Sequence, residues 1–161
     1  MSVDADQFKS ALKLWASGVT VVTTQSEQQG PKGMTATSFS SVSLDPPQIL
    51  VCLNQNTDTG ALVMEQKQFA VNILGADQQD ISNQFAGGRS QEERFANVAW
   101  QSGENGAPLL TNSLASLECK VVDQVLAGTH WIVIGEVQNV ECRSGDPLLY
   151  YSSAYRQLSP A

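Results

Sequence analysis

The segment Gly33-Met-Thr-Ala-Thr-Ser-Phe-Ser-Ser-Val-Ser-Leu-Asp-Pro-Pro-Gln-Ile-Leu-Val-Cys-Leu53 crowds small hydroxyl residues into chain that must still pair as β-structure. Thr35, Thr37 and Ser38 suit a strand by propensity, and their short side chains leave main-chain N–H groups within reach of a flat ring bearing carbonyl oxygens and ring nitrogens. On composition alone the same residues fit a polar edge strand entering a turn at Asp45-Pro46-Pro47.

Outward from this segment the pattern stays mostly β. Residues 19–24 are dominated by β-branched side chains, residues 25–30 form a polar turn, and residues 32–39, 47–53 and 69–74 read as further strands. Alternation marks two more strands at 116–123 and 129–142, with Leu117, Cys119 and Val121 on one face of the first and His130, Ile132 and Ile134 on one face of the second. A last strand covers 148–151. Three short helices are expected. The first follows Asp4 and Gln7, which are spaced as a capping box, and carries Phe8, Leu12 and Trp15 as an apolar stripe before Gly18; the others lie near 59–66 and 77–85. Loops are expected at 87–90 and 103–107.

The chain has 161 residues, enough for a single domain over 1–161 with one sizeable core. Nine Lys and Arg against sixteen Asp and Glu give a formal charge of −7, which argues against a nucleic-acid or anionic-membrane partner. Cys52, Cys119 and Cys142 fit neither a disulfide framework nor zinc-ligand spacing and read as reduced thiols, so no metal site is expected. With no signal-like or membrane-spanning apolar run, a cytoplasmic location is the expectation. Six or more strands with few intervening helices suggest a mainly β fold, a closed antiparallel β-barrel with a few short helices, and no Gly-x-Gly-x-x-Gly supports a Rossmann domain.

Met34-Thr-Ala-Thr-Ser-Phe39 followed by Ser41-Val-Ser-Leu-Asp-Pro-Pro47 closely resembles the flavin-contacting segment of the short-chain flavin reductases. The likeness continues in order through Phe69-Ala-Val-Asn-Ile-Leu74, Gly128-Thr-His130, Ile134-Gly-Glu-Val137, Pro147-Leu-Leu-Tyr-Tyr-Ser152 and Tyr155-Arg156, so it spans nearly the whole chain. It implies an FMN-binding split barrel, usually a homodimer with flavin near the subunit interface. It also implies an NAD(P)H:flavin oxidoreductase that reduces reversibly bound FMN or FAD and supplies it to a partner monooxygenase. NADH is favoured over NADPH because Arg89, Arg94 and Arg156 are too scattered to form an arginine pair for a 2′-phosphate.

By the same resemblance Thr35, Ala36, Thr37 and Ser38 line the flavin ring, with Cys52 close by. Residues 54–59 lie between a strand and a helix start, where free N–H groups and the positive helix end gather; with Ser40 and Ser41 they make Asn54, Thr57 and Thr59 phosphate candidates. Helix capping is the structural alternative for Thr57 and Thr59. Asp58 would repel a phosphate if it faced inward. His130 is expected to act as the catalytic residue, against the nicotinamide amide or flavin edge. Thr129 replaces the family's aspartate before it, which removes an acceptor for the imidazole. Arg89 and Arg156 are candidates for dinucleotide phosphates, and Phe85 and Tyr155 for stacking. Trp15, Trp100 and Trp131 read as core or dimer residues. Hydride transfer needs neither nucleophile nor metal, which suits a chain with one histidine and no carboxylate pair. Two rivals share the features: a split-barrel flavoprotein that retains its flavin and passes electrons onward, and a non-catalytic flavin-binding module.

Overall fold

The computed structural model describes residues 2–161. Its main sheet has seven antiparallel strands: β2 (Thr20–Ser26), β3 (Gly30–Ala36), β4 (Phe39–Leu44), β5 (Pro47–Asn54), β6 (Gln68–Ile73), β9 (Ala115–Ala127) and β10 (His130–Cys142). Their spatial order is β3-β2-β6-β9-β10-β5-β4. The shorter strands are β1 (Ser17–Gly18), β7 (Trp100–Ser102), β8 (Pro108–Leu110), β11 (Leu149–Tyr151) and β12 (Ala154–Arg156). The helices are α1 (Ala5–Leu12), α2 (Asp58–Gln66), α3 (Gln79–Gln84) and α4 (Gln91–Phe95). The fold is mainly β, as the strand pattern and the resemblance both imply.

The sheet wraps one interior. Val22, Ala36, Ile49, Val51, Leu53, Phe69, Val71, Cys119 and Val133, drawn from six strands, pack together, and Val63 of α2 caps the cluster. The outermost strands β3 and β4 are consecutive in sequence, and no ladder joins them among the described residues. The gap is spanned by Thr37-Ser38, where the Cys52 amide donates to the Ser38 carbonyl at 3.2 Å and the Ser38 hydroxyl donates to the Cys52 carbonyl at 2.9 Å. The expected closed barrel is therefore not closed by strand pairing among the described residues; its two edge strands are joined only by this two-residue chain link.

β2 is buried on both faces. Val22 points into the barrel, while Val19 just before the strand and Val21 join Leu74, Phe85, Leu110 and Leu148 in a second apolar layer outside it. The β2 threonines are satisfied on both faces of the strand: Thr20 donates to the Ala36 carbonyl, Thr23 to Pro108 and Thr24 to Gln68. Asn72 on β6 is wholly buried. Its amide donates to the Val21 carbonyl and Thr23 hydroxyl, and its oxygen accepts from the Leu110 amide and Ser116 hydroxyl. A buried amide with this many partners fixes the relative register of strands that apolar contacts would let slide.

Several expectations are corrected. Residues 32–39 are not one strand, because the chain leaves β3 at Ala36 and starts β4 at Phe39. The alternation on β10 left open which face is buried: Trp131, Val133 and Gly135 face the interior, and His130, Ile132 and Ile134 lie on the opposite face. Both sets are largely apolar, so alternation could not choose between them. Asp4 caps α1 by accepting from Asp6 and Gln7, yet the helix buries none of its residues, and Phe8, Leu12 and Trp15 are exposed. A fourth helix, α4, was not expected; Ser90 caps it, with Glu93 three residues on, and both halves of that capping box form. All three cysteines are free thiols. Burial and the neighbouring Glu118 push the Cys119 thiol up to about 12.

Asn72→Leu keeps the volume but strands the Leu110 amide, the Ser116 hydroxyl and the Val21 carbonyl. The expected loss is about 2–4 kcal/mol in urea unfolding. A loss within about 0.5 kcal/mol would show that the network does not hold the strands.

Candidate functional site

Two cavities flank the Thr35–Ser38 segment. The larger, of about 680 Å³, lies between that segment, Cys52, Tyr150, Tyr151, Leu12 at the end of α1 and Trp15 just beyond it, with Lys9 and Lys13 also in its lining. Its lining is mostly apolar and aromatic, with Thr37, Ser38 and Ser40 along one wall. The second, of about 530 Å³, is charged: Asn54, Asn56, Thr57, Asp58, Arg89, Gln91 and Arg94 surround it, and Thr35 forms part of its floor.

The predicted residues divide between these cavities. Thr37 and Ser38 are exposed and face the aromatic cavity with half-buried Cys52. Thr35 is committed elsewhere, its hydroxyl donating to the Ser82 carbonyl and its amide to the Phe85 carbonyl. Ala36 is buried, and its carbonyl takes the Thr20 hydroxyl. Ser40 lines the aromatic cavity, and its hydroxyl donates to the Ser41 carbonyl. Ser40 and Ser41 are thus not gathered with Asn54 and Thr57 as one phosphate cradle.

Thr57 lines the charged cavity but spends its hydroxyl as the α2 N-cap, accepting from the Gly60 amide at 3.1 Å and donating to the Asn54 carbonyl at 2.7 Å. Thr59 is wholly buried and accepts from the Gln91 amide, so it braces the loop from behind. Phe85 is also wholly buried, edge-on to Phe95 with ring centroids 4.9 Å apart, and its ring offers no face for stacking. Tyr155 is held by Ser82 at 2.7 Å and Asn83 at 3.0 Å, which positions the exposed Tyr150 ring 5.3 Å from its own. Arg156 lies over the Tyr151 ring, 5.7 Å from its centre. Arg89 is exposed on its Gly-rich loop in the charged cavity.

His130 is exposed at the start of β10, in register with Asn54 across the β10–β5 ladder. The expectation that Thr129 removes a partner is corrected: its hydroxyl lies 2.8 Å from His130 Nδ1, and a hydroxyl can accept as well as donate. The Thr129 carbonyl also accepts from the Gln55 amide at 3.0 Å, tying the histidine turn to the rim of the charged cavity.

The loop at 84–96 is the part sequence reasoning missed. Arg94 donates to the Gly33 carbonyl at 2.7 Å and the Gly87 carbonyl at 2.6 Å, and Gln91 accepts from the Gly33 amide at 2.9 Å. Gln84 donates to the carbonyls of Glu93, Arg94 and Ala96. Burial lowers the Arg94 pKa, partly offset by Asp58, and its buried Nε has no partner among the described residues. The Ser90–Glu93 capping signature was the available signal for this loop.

This is a mainly β protein whose outer wall carries an aromatic slot beside a charged pocket, a pairing suited to a flat ring with an anionic tail. Exposed Thr37 and Ser38 beside Cys52 fit the edge of a flavin ring, and Arg89 with the residues at the α2 N-terminus fits its phosphate end. These residues would hold the ring and its anionic end, and a bound flavin would supply the hydride-accepting chemistry.

Residues 12–159 match the family model described as "Flavin reductase like domain", and the chain belongs to this family. It is 40% identical over 152 residues to FMN reductase (NADH) RutF of Pseudomonas syringae, covering 94% of this chain and 85% of that protein. It is 37% identical over 158 residues to the reductase component of the 4-nitrophenol 4-monooxygenase/4-nitrocatechol 2-monooxygenase of Rhodococcus opacus, covering 98% and 83%. Among solved structures it superposes with a TM-score of 0.91 on the Streptomyces globisporus NADH:FAD oxidoreductase SgcE6 in complex with NAD and FAD fragments, at 33% identity and covering 99% of this chain and 98% of that one.

A Cβ at Gly33 would sit 2.8 Å from Phe85 Cε1, and that ring is locked in the outer apolar layer. Gly33→Ala should therefore cost about 1–3 kcal/mol in denaturant unfolding, because Phe85 has nowhere to relax. An unchanged midpoint would mean that the 84–96 loop moves freely over β3.

Proposed function

We propose that this protein is an NADH-dependent flavin reductase: it binds FMN or FAD reversibly, reduces it by hydride transfer from NADH and hands reduced flavin to a partner monooxygenase. The observation that carries the reading is the aromatic slot beside the charged pocket on the segment that resembles the family's flavin contacts, within a family match covering 12–159. The flavin ring lies along Thr37 and Ser38 in the aromatic cavity, and its phosphate end enters the charged cavity near Arg89. His130 orients the nicotinamide, with Thr129 holding its imidazole. The chain acts as one domain over 1–161, and it works in the cytoplasm, where its three free thiols stay reduced.

A homodimer is part of the same proposal. Exposed Phe8, Leu12 and Trp15 on and beside α1, together with exposed Val122, Val125 and Leu126 on β9, give apolar surface that a second copy would cover. No helix among the described residues is long and apolar enough to cross a membrane.

NADH should be consumed only when FMN or FAD is added. A flavin at 100 times its dissociation constant should add about 2.7 kcal/mol and raise the melting temperature by roughly 5–10 °C. No flavin-dependent NADH consumption would reduce the protein to a binding module, and colour retained through dialysis would favour the rival that keeps its flavin.

His130→Ala should raise the KM for NADH or lower turnover while flavin affinity stays within about threefold. Because His130 is exposed, its loss should shift stability by less than about 0.5 kcal/mol. Unchanged kinetics with a lowered melting temperature would make it a structural residue.

A further inference from the structure

Charge is spread unevenly over this chain. Nine basic against sixteen acidic residues leave it at −7, yet the aromatic cavity is lined by Lys9 and Lys13 and by no Asp or Glu. The rest of its lining is uncharged.

Backbone geometry puts the two lysines there. They stand four residues apart, and the Lys13 amide donates to the Lys9 carbonyl at 3.0 Å, so one helical turn sets both on the same face of α1. The Ser152 amide donates to the Lys13 carbonyl at 3.0 Å, which ties this end of α1 to the turn between β11 and β12. Ser152 and Ser153 of that turn line the same cavity. Helix α1 buries none of its residues, so both amines stay free to meet a ligand.

Hydride transfer brings the donor into this cavity, because the reacting atoms of nicotinamide and flavin must lie about 3–3.5 Å apart. The nicotinamide of NADH is joined through a ribose to a pyrophosphate, and each phosphate of that linkage carries one negative charge. A chain at −7 repels such a ligand at long range, so local positive charge has to admit it. The other two dinucleotide candidates are placed differently: Arg89 lines the charged cavity, and Arg156 lies over the Tyr151 ring.

We infer that Lys9 and Lys13 hold the pyrophosphate of NADH and bring its nicotinamide over the flavin ring. This rests on the placement of that ring along Thr37 and Ser38 in the aromatic cavity. At contact distance in bulk water one unit charge acting on another changes affinity by about fivefold, so two lysines facing two phosphates are worth about twentyfold at low salt.

The test compares wild type, Lys9→Gln/Lys13→Gln and Lys9→Arg/Lys13→Arg in steady-state assays at saturating FMN and low ionic strength. The hydride donors are NADH and 1-benzyl-1,4-dihydronicotinamide, which has no phosphate; FMN affinity is measured by fluorescence titration. The glutamine pair should raise the KM for NADH about ten- to twentyfold with kcat within about twofold, and the arginine pair should keep the wild-type KM. For the glutamine pair, FMN affinity and kcat/KM for the phosphate-free donor should stay within about twofold of wild type. Salt at about 0.5 M should raise the wild-type KM and narrow the gap. Both lysines are exposed, so the melting temperature should not move. An unchanged KM for NADH, an equal loss with the phosphate-free donor, or a loss of FMN affinity in its place would overturn the role of the lysines and leave the flavin-reductase reading standing. Wild type that consumes no NADH with either FMN or FAD would remove both.

Discussion

The contact between β3 and the segment that follows α3 is the constraint on which the site depends. Gly33 has no side chain, so the Phe85 ring can lie against its backbone, and that approach lets Arg94 and Gln91 reach the Gly33 carbonyl and amide. One missing methyl thereby joins the barrel wall to the outer apolar layer. The charged cavity is the space this junction leaves between α2 and the Gly87-Gly88-Arg89 turn. If the junction loosened, Arg94 would lose its bond to the Gly33 carbonyl and the cavity its wall.

Hydroxyl groups serve two purposes here, and the division is by burial. Thr20, Thr23 and Thr24 satisfy carbonyls inside the fold, and Thr35 and Thr57 hold the loop and helix end around the site. Thr37 and Ser38 alone among the ring candidates stay exposed, at the two-residue link between the barrel's edge strands. The point where the ladder is interrupted is therefore where these two hydroxyl residues reach the surface.

The family's aspartate beside the histidine is Thr129 in this chain, and its hydroxyl still reaches His130 Nδ1. A neutral partner orients the ring without adding negative charge near Asn54 and Asp58.

Residues 33–53 and the motifs that follow them were enough to name the fold class and the family, because strand propensity, turn residues and motif order are local properties of the chain. Capping at Asp4 was legible for the same reason. Tertiary structure decided what local pattern could not. It chose Trp131 and Val133 over Ile132 and Ile134 for the interior, because two apolar faces alternate equally well until neighbouring strands take one. It buried Thr59 and Phe85, left Trp15 at the mouth of a cavity, and separated Ser40 from Asn54. Those outcomes depend on which distant segments meet, and the packing that brings Gly33 to Phe85 has no counterpart in the spacing of residues along the chain.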